Sequence, residues 1–146
     1  MAYAMKGTDG AAGKGLRTML AGLAAVAMWG CASLSGSSPA ADKEAAVRSN
    51  AQARWDALIK RDYPAAYAYF SPASRDTIPW EAYSAKMGTI AVNYRAATVE
   101  KVDCAAEGCK VTLSLTYDYQ KFKGVTTPLV EDWIIDGGKA WFVYRG

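Results

Sequence analysis

The sequence predicts an α+β domain, with helices packed on a curved four-stranded antiparallel sheet. Three observations predict it. Apolar residues from Asp42 onward recur at helical spacing, residues from Cys109 onward alternate strictly, and two β-rich runs flank Gly137-Gly138. Helical runs first and strands afterwards is the order of an α+β fold, not of a parallel α/β one.

Val47, Ala51, Trp55, Leu58 and Ile59 fall at i, i+4, i+8, i+11 and i+12, one face of a helix. Asp42 can cap its start. Glu44–Arg48 and Asp56–Lys60 are i, i+4 pairs for its exposed side. Asp62-Tyr63-Pro64 ends this helix and begins a second, with proline in the first turn. Ala66, Tyr67, Tyr69 and Phe70 make the second helix short and apolar, and Ser71-Pro72 reads as its break. Pro79 opens a third, with Trp80, Tyr83 and Met87 on one side.

After Gly88 the period changes to two. Cys109, Val111, Leu113, Leu115, Tyr117 and Tyr119 alternate with Lys110, Thr112, Ser114, Thr116 and Asp118, a strand with one buried face. Residues 129–136 and 139–145 form a hairpin around Gly137-Gly138. Pro128 sets the start of the third strand or marks an edge position.

Cys104 and Cys109 enclose Ala105-Ala106-Glu107-Gly108. If these residues form a hairpin loop, the cysteines face each other at about 4.5–5.5 Å, a separation that suits a disulfide. That register sets Asp103 opposite Lys110 and Arg95 opposite Asp118, both opposite-charge pairs. It also sets Val102 against Val111, Thr98 against Leu115 and Tyr94 against Tyr119, unless a bulge breaks it toward the far end. The spacing alone also fits a free thiol pair or half of a metal site. An exported setting favours the disulfide and leaves Cys31 as the odd cysteine.

The N-terminal segment argues for export. Lys14-Gly15-Leu16-Arg17 precedes an apolar run from Thr18 to Trp29, the order of a signal peptide. The run falls short of the roughly 20 apolar residues that a membrane span needs. Gly30-Cys31 directly after it resembles the lipobox of bacterial lipoproteins, in which the cysteine is diacylated and becomes the N-terminus. Met28 and Trp29 stand where that family prefers Leu and a small residue. The alternative is an ordinary secretory peptide cut after Ala32 or further on. Ala32, not Asp, follows the cysteine, which resembles the outer-membrane-sorted class. The long lead before Lys14 leaves Met5 and Met19 open as starts. The expected organisation is a signal peptide over 1–30, a flexible tether over 31–41 and a domain over 42–146. The last ten tether residues, "ASLSGSSPAA", span roughly 17 Å root-mean-square.

Composition excludes several functions. The chain has no histidine, which removes Ser-His-Asp and Cys-His catalysis and the commonest metal ligand. Three cysteines cannot complete a zinc site without carboxylates. No metal and no cofactor is expected. From Cys31 onward 14 Lys/Arg meet 13 Asp/Glu, a net of +1 without a basic cluster, so no nucleic-acid partner is expected.

"ARWDALIKRDYPAAYAYFSPASR" resembles the opening of NTF2-like (cystatin-like) domains, and "EDWIIDGGKAWFV" resembles their closing hairpin. Small NTF2-like lipoproteins of bacterial envelopes look most similar. The resemblance covers residues 42–146 and implies a cone between helices and sheet, here shallower because one strand common in that group is missing. Such a fold hosts both enzymes and binding modules, so it does not give the function. The unbroken register turns Glu100 toward the helices, and either Glu131 or Asp132 with it. A buried Glu100 could serve as a general base, with Tyr94, Tyr117 and Tyr119 as phenol donors, in an isomerase or cyclase. Glu100 could equally lie at the sheet margin, or pair with Arg54, Arg75 or Lys101. The expected reading is a lipid-anchored envelope module, at the outer membrane facing the periplasm, that does no chemistry. It would bind an envelope protein or an apolar ligand in a pocket that includes Trp55 and Trp133. The resemblance also implies a homodimer through the outer sheet face, although Lys110, Thr112, Ser114, Thr116 and Asp118 make that face polar.

Overall fold

The computed structural model describes residues 39–106 and 108–146. The expected signal segment, Cys31, most of the tether and Glu107 lie outside the described residues. The element order is α1 (Pro39–Ile59), α2 (Tyr63–Tyr67), α3 (Pro72–Thr77), α4 (Trp80–Thr89), β1 (Val92–Cys104), β2 (Cys109–Tyr119), β3 (Phe122–Asp136) and β4 (Lys139–Val143). The four strands form an antiparallel meander in the order β1-β2-β3-β4. This is the α+β class that the periodicities predict.

Val47, Ala51, Trp55 and Leu58 of α1 are all buried, as their spacing requires. The helix starts at Pro39, which places Asp42 in its first turn. Arg61 ends it in the left-handed region, at φ 60°. Asp62 then caps α2, its carboxylate accepting from the Ala65 N–H at 3.1 Å.

α2 ends at Tyr67, so Tyr69 and Phe70 lie beyond it and Ser71-Pro72 does not break it but opens α3. The Ser71 hydroxyl accepts from the Ser74 N–H at 3.1 Å, while Pro72 occupies the first turn and has no N–H to satisfy. The same stretch pairs with β4. Ser71 N–H donates to the Phe142 carbonyl at 2.9 Å, and Phe142 N–H donates to Tyr69 at 2.7 Å.

Both edges of the open sheet are engaged by α1. The Gln52 amide donates to the Ala97 carbonyl at 2.9 Å and accepts from Val99 N–H at 3.2 Å, imitating a neighbouring strand on β1. Asn50 donates to the Ala140 carbonyl of β4 at 3.1 Å. Unpaired strand edges invite association with other chains, so these side chains protect the fold as well as join it.

β3 begins earlier than Pro128 predicts, at Phe122, and Pro128 lies within it opposite Ser114. β4 pairs with β3 only from Asp132 to Asp136. The other side of Pro128 therefore faces no strand, and its missing N–H costs no ladder bond. The closing hairpin turns at Gly137 and Gly138, with φ 56° and 75°, the left-handed pair that a two-residue turn demands.

Cys104 and Cys109 form a disulfide, with Cα atoms 4.0 Å apart. Next to it Asp103 faces Lys110 and Val102 faces Val111, as the simple register predicts. The register then shifts at Glu100 and again at Arg95. Beyond the shifts Thr98 faces Ser114 and Tyr94 faces Tyr117, not the predicted Leu115 and Tyr119. At each bulge two adjacent residues point outward between inward ones: Glu100 and Lys101 are exposed while Val99 and Val102 are buried.

Among the described residues, no helix is long and apolar enough to cross a membrane.

Candidate ligand cavity

The inner face of the sheet carries one buried carboxylate, and α1 carries the matching cation. Arg54 stands on the buried stripe of α1, three residues after Ala51 and four before Leu58. Glu131 lies on β3, where alternation turns it inward with Trp133 and turns Asp132 outward. Both are more than nine-tenths buried. Arg54 Nη1 donates to Glu131 Oε1 at 2.7 Å, and Trp55 Nε1 donates to the same oxygen at 2.9 Å. Trp133 Nε1 donates to Oε2 at 3.1 Å. Isolated charges are costly in an interior, and this pair is tolerated because the carboxylate is hydrogen-bonded at both oxygens. The guanidinium also lies 3.8 Å from the Phe142 ring centroid, a cation–π contact.

Beside the pair a cavity of about 440 Å³ opens between α1, α4 and strands β3 and β4. That lies in the size range of small-molecule sites. Its walls are largely apolar and aromatic, with Phe70, Met87, Leu129 and Phe142 among them. The Phe70 ring is held by Tyr83 and Phe142, with centroids 5.0 and 5.1 Å away. Lys86 also lines the cavity, and its ammonium donates to the Tyr144 hydroxyl at 2.8 Å.

Two buried polar groups in this lining have no hydrogen-bond partner among the described residues: Arg54 Nε and the Tyr83 hydroxyl. Burial pushes the Tyr83 phenol up to about 12, with Arg54 pulling against the rise. The phenol is therefore a neutral donor at physiological pH. Burial raises Tyr94 as well, again opposed by Arg54.

The residues singled out from the sequence fall in different places. Trp55 and Tyr94 line the cavity and meet edge to face, centroids 5.3 Å apart. Trp133 supports Glu131 and lines a second depression, beside the disulfide turn. Tyr117 and Tyr119 border a shallow recess with Val92 and Leu115, and Tyr94 borders it too, so the three tyrosines named from the sequence do meet there. Glu100 does not reach the cavity. It is the extra residue of a bulge, exposed, and its carbonyl accepts from Arg48 at 3.3 Å. Arg54 pairs with Glu131, not with Glu100. Asp132, the other inward candidate of β3, bonds outside the core to Lys110 and Arg145, and the Lys110 bond chiefly holds its carboxyl below the usual range. Among the described residues no cluster of Cys, Asp or Glu is arranged to hold a metal.

Fold and cavity together define an α+β domain with an aromatic-walled, partly polar pocket. No family model matches the chain, and no curated protein matches it. Among solved structures, a SEC-C motif containing protein from Rhodopseudomonas palustris is similar, with a TM-score of 0.57 and 13% sequence identity. The match covers 69% of this chain and 77% of that one. At that identity the likeness speaks for the fold alone. It corrects the family resemblance drawn from the sequence. The similar structure is a SEC-C motif protein, and nothing in the comparisons points to the small NTF2-like envelope lipoproteins. The motifs behind that resemblance are helix ends and a Gly-Gly turn, which are signals of local backbone geometry.

Proposed function

We propose that the domain is a non-catalytic binding module that holds a small, largely apolar ligand in the cavity beside Arg54 and Glu131. The observation that carries this reading is the cavity itself, of about 440 Å³, with aromatic walls and a few converging polar groups. An isomerase or cyclase needs a base with a lone pair turned to its substrate. Both oxygens of Glu131 are instead engaged by Arg54, Trp55 and Trp133. Asp132 is engaged by Lys110 and Arg145, and Glu100 is outside. The chain has no histidine to replace them.

The proposed address is the cell envelope, at the periplasmic side of the outer membrane, with a lipid on Cys31 as the tie. It rests on the basic Lys14–Arg17 stretch, the short apolar run and the Gly30-Cys31 step. The disulfide suits such an oxidising compartment.

Each half has its own test. The neutral dye N-phenyl-1-naphthylamine should brighten on binding the purified protein, and Ile90→Trp, which fills the cavity wall, should abolish the signal. Equal brightening by both proteins would exclude this cavity as the site. Cys31→Ser should move the protein from the membrane to the soluble fraction, and retention in the membrane would refute the anchor.

A further inference from the structure

The two orphaned donors narrow the ligand's chemistry. Arg54 and Tyr83 are 6% and 3% exposed, both line the cavity, and each holds a polar atom that no group among the described residues satisfies. A buried donor left unmet costs free energy, which a ligand acceptor would recover. Arg54 Nε–H can only donate, and the Tyr83 phenol, which stays protonated, has a hydrogen to donate. Glu131 takes Nη1 of the guanidinium, and Nε is left buried without a partner among the described residues.

Charge favours an anionic acceptor. Glu131 offsets Arg54, but Lys86, also in the lining, has a phenol as its partner and pairs with no carboxylate among the described residues. The other carboxylate in the lining, Asp132, is taken by Lys110 and Arg145. Apart from Arg145, which pairs with Asp132, the rest of the wall is mostly rings and aliphatic chains, which suit a hydrocarbon or aryl body.

We infer that the cavity binds small organic acids with an apolar body, the carboxylate accepting from Arg54 Nε and the Tyr83 hydroxyl with Lys86 nearby. A planar carboxylate matches the geometry of a guanidinium edge and brings a negative charge that a neutral head lacks. This rests on the binding-module reading and adds the ligand class to it.

The test is displacement of N-phenyl-1-naphthylamine by 4-phenylbutanoate and by butylbenzene, which differ in the head group. The acid should compete at least about tenfold better than the hydrocarbon, a ratio equal to one charge-assisted hydrogen bond. Tyr83→Phe should weaken the acid by about tenfold and leave butylbenzene within about twofold. Equal competition by both probes in the wild-type protein overturns the inference while the cavity reading survives. So does an acid preference that Tyr83→Phe leaves intact. A wild-type protein that fails to bind the dye overturns the cavity reading and this inference with it. The comparison of the two probes needs only the wild-type protein, so it stands even if the variant fails to fold.

Discussion

Residues 99–102 of β1 and 130–133 of β3 each set a glutamate in a strand whose inner face packs on α1, yet the two glutamates have opposite fates. In β1 the register slips by one at Glu100, so Glu100 and Lys101 both face solvent. Arg48 of α1 steadies the bulge by donating to the carbonyls of Val99 and Glu100, at 2.7 and 3.3 Å. In β3 pairing runs unbroken from Val125 to Trp133, and Glu131 stays inside against Arg54. The contrast shows that whether a strand carboxylate becomes part of a site depends on backbone register and on a waiting cation. Alternation of residue types is not enough.

The sharpest way to break that contrast is to truncate both side chains. Glu131→Ala leaves Arg54 buried without its partner and should cost about 3–5 kcal/mol in urea unfolding. Glu100→Ala should stay within about 0.5 kcal/mol of wild type. Similar losses for the two would mean that the bulge does not divide them.

The disulfide refines the picture of β1, because it fixes the register on the turn side of the bulge. Replacing Cys104 and Cys109 together with serine should cost about 2 kcal/mol, the entropy of closing so short a loop. Hydrogen exchange should then quicken from Val99 to Asp103 and much less at Trp133. Uniform quickening would show that the hairpin end is not a separate unit.

A smaller effect than the loss of Glu131 or of the disulfide is expected at Asp132, which neighbours Glu131 but faces outward. Its carboxyl is held below the ordinary carboxylate range, chiefly by Lys110. A depressed folded-state pKa stabilises above the unfolded value, and that gain is lost as pH falls through the folded one. Asp132→Asn should therefore cost at most about 1 kcal/mol at neutral pH, with the difference from wild type shrinking in acid. A difference that grows in acid would reverse the assignment.

Much of the fold was legible because local chemistry specifies it. The Gly137-Gly138 turn, the Asp62 cap and the pairing beside Cys104–Cys109 all depend on a few neighbouring residues. Two local signals were present but read too narrowly. Ser71-Pro72, read as a helix stop, is a cap-plus-proline helix start, and α2 has already ended at Tyr67. Val99-Glu100-Lys101-Val102 has two polar residues between apolar ones, the mark of a bulge, which straight alternation passes over. The site was less legible. Arg54 falls on the same helical stripe as Val47, Ala51 and Leu58, which signals a buried cation in need of a carboxylate. Its partner could not be chosen from sequence, because the choice between Glu100 and Glu131 depended on register over a long stretch. Tyr83 was legible as core, but its unsatisfied hydroxyl emerges only once Tyr67 and Phe70 pack around its ring.

The most direct test is side-chain NMR of the Arg54 Nε–H during titration of the purified, disulfide-bonded protein with 4-phenylbutanoate. The account predicts that this resonance moves downfield and saturates together with the Trp55 indole signal, as the carboxylate accepts from Nε. An Arg54 Nε–H that stays in place while the aromatic signals of the cavity shift would contradict it, since the ligand would then be held without the donor left open to it.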